Sequence, residues 1–588
     1  MKVFFKYVFA SMLGFILSFI VIGFLLIVII AGIISSSGKE ETAVVAANSV
    51  MHIDLDYPIK ERSSKNPLDR FFSEFEANKS LGLNDILAAL KKAKTDDNIK
   101  GIYLDVSSID GGFGTVEEIR NALKDFKKSG KFIISYSEVY SQSAYYLASV
   151  ADKVYLNPEG ILEFNGFNSQ ITFFKGALEK LDIEPQVIKV GTYKSAVEPF
   201  VLDKMSEPNR KQVSSFLGSM FDHFLTEISE SRKISKDSLF AIANQLKVQN
   251  AQEAVDYKLA DGLRYKDEIL DELKSRTGTD KKKDVRSVAI EDYDTTPTEE
   301  NEISENRIAM IYASGEITGG EGSDETIGSE RISRAIRKAR TDSKVKAVVL
   351  RVNSPGGSAL ASDVIWREVA LTKKAKPVVV SMGDLAASGG YYISCAADSI
   401  FAQPNTITGS IGVFGIIPNM QNFFNNKLGI TFDGVKTAEH ADLGTVTRPL
   451  TPAERMIIQK EVNRIYNSFT KRVADGRKKS QKYIDSIGQG RVWSGTEAIK
   501  NGLVDRLGNI DDAVHSAAKM ARLTKYKIVD YPAVKDPLQS FFGNSTDKIK
   551  EYFTKLELGD NYNYYKQLKE VIDLSGIQTR LPFTISIQ

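Results

Sequence analysis

A serine beside two glycines is the first candidate for chemistry in this sequence. Ser388 lies in the segment GDLAASGGYYIS (residues 383–394), between an apolar run that predicts a strand and a segment that predicts a helix. A hydroxyl at such a turn lies near backbone N–H groups and a helix dipole that favour negative charge. Reactive groups also gather at the carboxyl ends of strands in parallel α/β sheets. The position therefore favours a serine nucleophile for acyl transfer.

A second glycine-rich turn could complete such a site. The segment NSPGGS (residues 353–358) follows another apolar run that predicts a strand. Together, Gly356 or Gly357 and Gly389 could supply the two N–H donors of an oxyanion hole. Glycine-rich turns are common and usually structural. The α/β-hydrolase elbow does not fit, because Ala386 stands where G-x-S-x-G requires glycine.

The sequence also contains one domain twice. At a shift of 246 positions, three stretches align without a gap: residues 83–106 over 329–352, 127–136 over 373–382, and 144–158 over 390–404. With only two copies, this is a duplicated domain and not a solenoid. At the same shift Ser388 falls on Gln142, and Gly389 falls on Ser143. The candidate nucleophile is therefore present in one copy alone, which favours a role beyond folding.

A serine nucleophile needs a base, and lysine is the better candidate here. His440, in a polar loop, is the best placed of the four histidines, which are His52, His223, His440 and His515. Lys194, in GTYKSAVEPF (residues 191–200), falls on His440 at the same shift, so this lysine occurs only in the first copy. A site shared between two copies would show such a division. A lysine base must be neutral, which requires a pKa lowered by burial and predicts alkaline activity.

The elements around these residues predict an α/β fold in each copy. Short β-branched runs alternate with helical patterns, as expected for parallel strands joined by crossover helices. The helix before VKAVVLRV is amphipathic, and the run YYISCAAD predicts a helix in which Cys395 is a small core residue. We expect a first copy at residues 39–293, a polar linker at 294–307, a second copy at 308–537 and a tail without an assigned role at 538–588.

The N-terminus predicts a membrane anchor. Residues 7–34 carry no charge and exceed the length of about 20 residues that crosses a bilayer as a helix. Lys2 and Lys6 would keep residues 1–6 in the cytoplasm. A cleaved signal peptide is the alternative, although its apolar region would be shorter. In both cases the chain after residue 38 lies outside the cytoplasm.

The composition narrows the class of protein further. The 77 basic and 75 acidic residues give a formal net charge of +2, so no basic surplus indicates a nucleic-acid partner. The single cysteine excludes an intrachain disulfide and a cysteine-based metal cluster. At 588 residues the chain is too long for one hydrophobic core.

At these residues the sequence resembles the signal peptide peptidase A family, in its long tandem-domain form. The motifs that carry the resemblance are GTYKSAVEPF, NSPGGS, GDLAASGGYYIS and TGSIGVFG (residues 408–415). The resemblance covers nearly the whole chain. It implies a ClpP/crotonase-like fold in each copy, with Ser388 as nucleophile and Lys194 as general base. It also implies backbone N–H groups near Gly356 and Gly389 as the oxyanion hole.

The same resemblance implies a role and a location. It implies a membrane-anchored serine endopeptidase that degrades remnant signal peptides and other apolar peptides, without metal or cofactor. It further implies a bowl-shaped homotetramer at the bacterial inner membrane, with its catalytic part on the periplasmic side. Three alternatives stay open. They are a crotonase-like acyl-CoA enzyme, a non-catalytic membrane scaffold, and an envelope quality-control protease without signal-peptide preference.

Overall fold

The computed structural model describes residues 2–37, 45–63, 81–293, 304–323, 325–532, 554 and 577–580. Its first element is helix α1 (Lys2–Ser37), which contains the predicted anchor at 7–34. The stretch Lys6–Phe24 has a mean hydropathy of 2.3, and none of it is buried against the rest of the described protein. By length and composition alone this helix can cross a membrane, and a signal sequence would have the same character.

The first copy forms a parallel sheet with helices around it. The strands of this copy, six of which form that sheet, are β1 (Ser49–Ile53), β2 (Ile59–Lys60), β3 (Leu81–Gly82), β4 (Ile99–Leu104), β5 (Phe132–Tyr140), β6 (Lys153–Leu162), β7 (Glu184–Val190), β8 (Gly262–Leu263) and β9 (Ser287–Ala289). Its helices are α2 (Leu83–Thr95), α3 (Phe113–Lys127), α4 (Gln142–Ala148), α5 (Lys175–Lys180), α6 (Glu198–Val201), α7 (Glu207–Arg232), α8 (Lys236–Asn244), α9 (Ala251–Asp256) and α10 (Lys266–Thr277). The strand order is β8-β6-β5-β4-β1-β9. All of these pairings are parallel.

The second copy repeats this arrangement. Its strands are β10 (Arg307–Ser314), β11 (Glu316–Thr318), β12 (Thr326–Gly328), β13 (Val345–Ser354), β14 (Gly356–Ser358), β15 (Val378–Ala387), β16 (Ser399–Ala402), β17 (Ile407–Gly409), β18 (Val413–Asn419), β19 (Val492–Ser494), β20 (Arg506–Leu507) and β21 (Lys527–Tyr531). Its helices are α11 (Ser329–Thr341), α12 (Ala359–Lys373), α13 (Gly389–Ser394), α14 (Pro452–Arg477), α15 (Gln481–Ile487), α16 (Gly495–Lys500) and α17 (Ile510–Met520), with a π-helical turn at Phe423–Leu428. The main sheet has the order β19-β17-β15-β13-β10-β21, and β16 also pairs with β15.

A third sheet joins the two copies. Its last strand in the chain is β22 (Ile577–Arg580), and its order is β12-β11-β14-β22-β18-β7. Strand β7 of the first copy pairs antiparallel with β18 of the second, over Glu184–Val190. The loop that follows β7 is thereby placed beside the second copy.

The predicted fold class is confirmed, because both copies have the α/β architecture that their sequence patterns indicate. The apolar strand β13 is buried along most of its length, as expected for a sheet covered on both faces. Helix α11 buries Ile332, Ile336 and Ala339, the face that the pattern predicts. Cys395 is buried as a free thiol. Residues 294–303 of the predicted linker lie outside the described residues, and β10 begins at Arg307.

Candidate active site

Ser388 occupies a strained turn between strand β15 and helix α13. Its backbone has φ +54° and ψ −111°, a conformation that residues other than glycine rarely adopt. Its N–H donates to the carbonyl oxygen of Gly409 at 2.8 Å, which anchors the turn to strand β17. The side chain is fully buried. The structure thus places this hydroxyl at a strand-to-helix turn, as the sequence predicts.

Lys194 reaches Ser388 from the other copy. It lies in the loop between β7 and α6, where the N–H of Tyr193 donates to Gln489 O at 2.8 Å. Lys194 is fully buried, and its Nζ lies 2.9 Å from Ser388 Oγ. The structure therefore brings together the two residues that the repeat comparison singled out, across 194 positions of sequence.

The surroundings of Lys194 favour the neutral amine. Burial lowers the pKa of Lys194 from 10.5 to about 7. Among the described residues, no carboxylate oxygen lies within 4.0 Å of Nζ to stabilise the ammonium form. The ring of Phe414, whose centroid lies 5.7 Å from Nζ, attracts the ammonium form only weakly compared with the cost of burial. At neutral and alkaline pH a substantial fraction of this side chain is therefore a free base.

Ser410 is a contact that sequence reasoning missed. Its Oγ lies 3.1 Å from Lys194 Nζ, and its N–H donates to Arg491 O at 2.7 Å. Like Ser388, it is fully buried and has a positive φ, of +50°. Ser410 belongs to the TGSIGVFG segment, so its position in a recognised motif was the available signal.

Two of the predicted oxyanion-hole glycines, Gly356 in β14 and Gly389 in α13, lie against each other. Gly356 has φ +101°, and a Cβ at this position would lie 2.8 Å from the Gly389 nitrogen. Gly389 is the first residue of α13, so its N–H has no partner within the helix. The Gly356 N–H, however, donates to Ser354 Oγ at 3.1 Å. Gly357, in the same strand β14, pairs with β11.

The third sheet places an extended piece of chain across this site. Strand β22 pairs antiparallel with β14 on one side and with β18 on the other. Lys194 Nζ also donates to the carbonyl oxygen of Arg580. A Cβ on Gly356 would collide with the Thr579 carbonyl oxygen. Thr579 therefore lies against both glycines, with its carbonyl oxygen next to Gly356 and its Oγ1 next to Gly389.

The other candidate base and a possible metal cluster lie elsewhere. His440 is part of the segment between the π-helical turn and α14, with Nδ1 3.7 Å from a carboxylate oxygen of Glu454. Glu117, His223 and Glu227 bring ligand atoms within 4.8 Å of one another. Arg120 and Lys124 already pair with Glu227, at 3.5 and 2.8 Å. We therefore interpret that cluster as an ion-pair network.

Comparison with known proteins gives two family matches and three similar proteins, each of which covers most of this chain. The family description "Peptidase family S49" matches residues 125–280 and 370–524, and "Clp protease" matches residues 299–408. "Protease 4" of Salmonella typhi is 39% identical over 531 residues, covering 87% of this chain and 85% of that protein. "Protease 4" of Haemophilus influenzae is 36% identical, covering 86% and 84%. "Serine protease SPPA, chloroplastic" of Arabidopsis thaliana is 34% identical, covering 87% and 76%.

Proposed function

The chain belongs to peptidase family S49 and is a serine peptidase, and on that premise we propose that Ser388 and Lys194 are its catalytic dyad. The observation that supports this is the 2.9 Å contact between Lys194 Nζ and Ser388 Oγ, both fully buried. Burial lowers the pKa of Lys194 to about 7, so the amine can accept a proton at neutral and alkaline pH.

The hydrogen bonds around Nζ suit a neutral amine. Such an amine has two hydrogens and one lone pair. It can donate to Ser410 Oγ and to a backbone carbonyl while its lone pair accepts the proton of Ser388. An ammonium would also find acceptors in the hydroxyls of Ser388 and Ser410 and in two backbone carbonyls, but it would leave Ser388 without a base. We therefore assign Ser410 the role of orienting Lys194.

The reaction then proceeds in two halves. Lys194 takes the proton of Ser388 as Oγ bonds to the scissile carbonyl carbon, and the carbonyl oxygen becomes an oxyanion. The N–H of Gly389, at the start of α13, stabilises that charge. Lys194 then gives its proton to the leaving amine as the C–N bond breaks. Water, deprotonated by Lys194, attacks the acyl-enzyme and releases the second product with Ser388 restored.

We propose that the substrate enters as an extended strand between β14 and β18. Residues 577–580 already lie there in that conformation. The cleft is bordered by buried apolar side chains, among them Ile188, Val413 and Phe414. Main-chain hydrogen bonds hold such a strand, and apolar surfaces select its side chains. These features favour apolar peptides, and remnant signal peptides, with their apolar region of roughly 7–15 residues, belong to that class.

Helix α1 bears on where apolar peptides would be cleaved. We propose that α1 anchors the chain in the bacterial inner membrane, with the peptidase on the periplasmic side, beside substrates that partition into the bilayer. The assembly that we expect from the family resemblance is a homotetramer. Because main-chain pairing accepts many sequences, general degradation of envelope proteins is the second candidate function.

The test is peptidase activity of the full chain in detergent micelles on an apolar, signal-peptide-like fluorogenic peptide, from pH 6 to 10. We expect Ser388→Ala and Lys194→Ala to be inactive, and Lys211→Ala, which changes an exposed lysine of α7, to match the wild type. Wild-type activity should rise through about pH 7, following the pKa of Lys194. An active Lys194→Ala variant would place the base elsewhere, and His440 would be examined next.

A further inference from the structure

Helix α3 of the first copy begins without a cap of its own. Its N-cap residue is Gly112, which offers no side chain to the exposed N–H groups of the first turn. The N–H of Thr115 instead donates to Oδ1 of Asp384 at 2.7 Å. The hydroxyl of Thr115 donates to Oδ2 of the same carboxylate, also at 2.7 Å. The cap of α3 is therefore supplied by strand β15 of the second copy, four residues before Ser388.

The repeat shows that this arrangement is particular to the first copy. At the shift of 246 positions, Gly112 corresponds to Ser358. Ser358 caps its own helix α12, with its Oγ accepting from Ala361 N at 3.4 Å. A Cβ at Gly112 would overlap the side chain of Asp384, and one at Gly114 would lie 3.0 Å from its Oδ1. Glycine at both positions thus leaves room for a carboxylate from the other copy.

Asp384 lies in an irregular part of strand β15. Val352 of β13 pairs with Met382, but Ser354 pairs with Ala386, so residues 383–385 bulge opposite Asn353 alone. The side chain of Asn353 fills the gap, with its Oδ1 accepting from Leu385 N at 3.0 Å. Bulges of this kind bend a strand and redirect the residues that follow. The bulge therefore helps to set the direction in which the chain reaches Ser388.

A second contact on the same helix reinforces the first. Glu118, one turn after Thr115, lies 2.7 Å from a guanidinium nitrogen of Arg351 on β13, and both side chains are fully buried. Glu61 pairs with the same guanidinium at 2.7 Å and accepts from Asn353 at 2.7 Å. Residues three apart on a helix share a face, so α3 contacts β15 through Thr115 and β13 through Glu118 at adjacent positions. Directional polar contacts of this kind fix the register of two packed surfaces.

We propose that Asp384 is a positioning residue, which aligns Ser388 with Lys194 by locking the β15 bulge onto helix α3 of the first copy. The inference rests on the proposed dyad, in which nucleophile and base come from different copies. Their 2.9 Å contact is maintained only if the copies keep one alignment near the site. Asp384 is the point where the first copy holds the segment that carries the nucleophile.

Loss of this carboxylate should slow catalysis more than it weakens binding. A displacement of about 1 Å in a reacting group costs on the order of 100-fold in rate. We therefore expect Asp384→Gly to lower kcat by about 10- to 100-fold. KM for the peptide should change by less than about threefold, because the β14 and β18 edges that hold the substrate strand do not contact Asp384.

Exchanging two residues tests whether Asp384 aligns the catalytic dyad or only caps helix α3. The variant Gly112→Asp/Asp384→Gly returns the cap to α3, at an N-cap whose φ of −71° and ψ of 161° suit aspartate. It preserves composition and charge. We expect its urea midpoint to recover towards that of the wild type relative to Asp384→Gly, while kcat stays low. Recovery of kcat to within about twofold of wild type would show that Asp384 is only a cap, and would overturn the inference.

A second variant leaves strand β15 unchanged. Thr115→Val keeps the shape of the side chain but removes the hydroxyl that donates to Asp384. We expect kcat to fall in the same direction by a smaller factor, about 3- to 10-fold, with KM again nearly constant. Wild-type kcat in both Asp384→Gly and Thr115→Val would overturn the inference. Lys194→Ala is measured alongside: if it stays active, the dyad itself is wrong and the inference falls with it.

Discussion

Replacing Lys194 by methionine should abolish activity and stabilise the protein, with a gain in stability that shrinks as the pH rises. Burial lowers the pKa of Lys194 from 10.5 to about 7. In the unfolded chain the amine stays protonated up to about pH 10.5, whereas in the folded protein it loses its proton above about pH 7. Between these values the unfolded state binds more protons, so wild-type stability rises with pH across this window.

The size of the effect follows from the two pKa values. At about 1.4 kcal/mol per pH unit, a pKa lowered from 10.5 to about 7 corresponds to a cost of about 5 kcal/mol well below pH 7. By the same linkage the cost is about 4 kcal/mol at pH 7 and about 2 kcal/mol at pH 9. Methionine has a similar volume and no charge, and the loss of hydrogen bonds to Ser388 and Ser410 does not depend on pH. The advantage of Lys194→Met should therefore shrink by about 2 kcal/mol from pH 7 to pH 9.

The assay is urea unfolding of the full chain in detergent at pH 7, 8 and 9, followed by the fluorescence of Trp366 and Trp493. Lys211→Met, at an exposed lysine of α7, is the matched control and should show no such trend. A difference between wild type and Lys194→Met that stays constant with pH would refute the reasoning. It would mean that Lys194 remains charged in the folded protein and cannot be the base.

Three further predictions follow from the geometry of the cleft. Ser388→Gly should be inactive yet more stable to urea than Ser388→Ala by about 1 kcal/mol, because glycine relieves the strain of φ +54°; equal stabilities would show that the turn is unstrained. Gly356→Ala should lose at least about 100-fold in kcat/KM while its circular dichroism stays native, since its Cβ would occupy the space of the Thr579 carbonyl oxygen; an active variant would place the substrate elsewhere. Deletion of residues 577–588 should lower KM for an added peptide several-fold without lowering kcat, because strand β22 lies between β14 and β18; an unchanged KM would show that this strand does not compete.

Because the domain is duplicated, the sequence alone could predict both the fold and the candidate site. Aligned copies must share an architecture, so the alternation of apolar runs and amphipathic helices predicted the same α/β sheet twice. Residues that occur in only one copy are not requirements of the fold that both copies share. Ser388 and Lys194 were selected in this way from opposite copies, and the structure places them 2.9 Å apart.

Other parts of the site could not be predicted from the spacing of residues. Ser410 lies in the motif TGSIGVFG, but no spacing in the sequence indicates the positive φ with which it contacts Lys194. Strand β22, with the sequence IQTR, has no apolar period and lies in the tail to which no role was assigned. Its place depends on backbone pairing with β14 and β18, which any side chains permit. The cap given by Asp384 to α3 is likewise a contact 269 positions apart in sequence.

The division of the site between the copies has a consequence for the nascent chain. Synthesis runs from the N-terminus, and domains generally fold as units in that order. The first copy thus emerges with Lys194 and no Ser388, and it cannot cleave peptide bonds by the proposed dyad until the second copy has been made and has docked. With that dyad, the unfinished chain is inactive, and proteolytic activity begins only on a molecule whose two halves have both folded. A peptidase divided in this way is kept inactive by its own order of synthesis and folding.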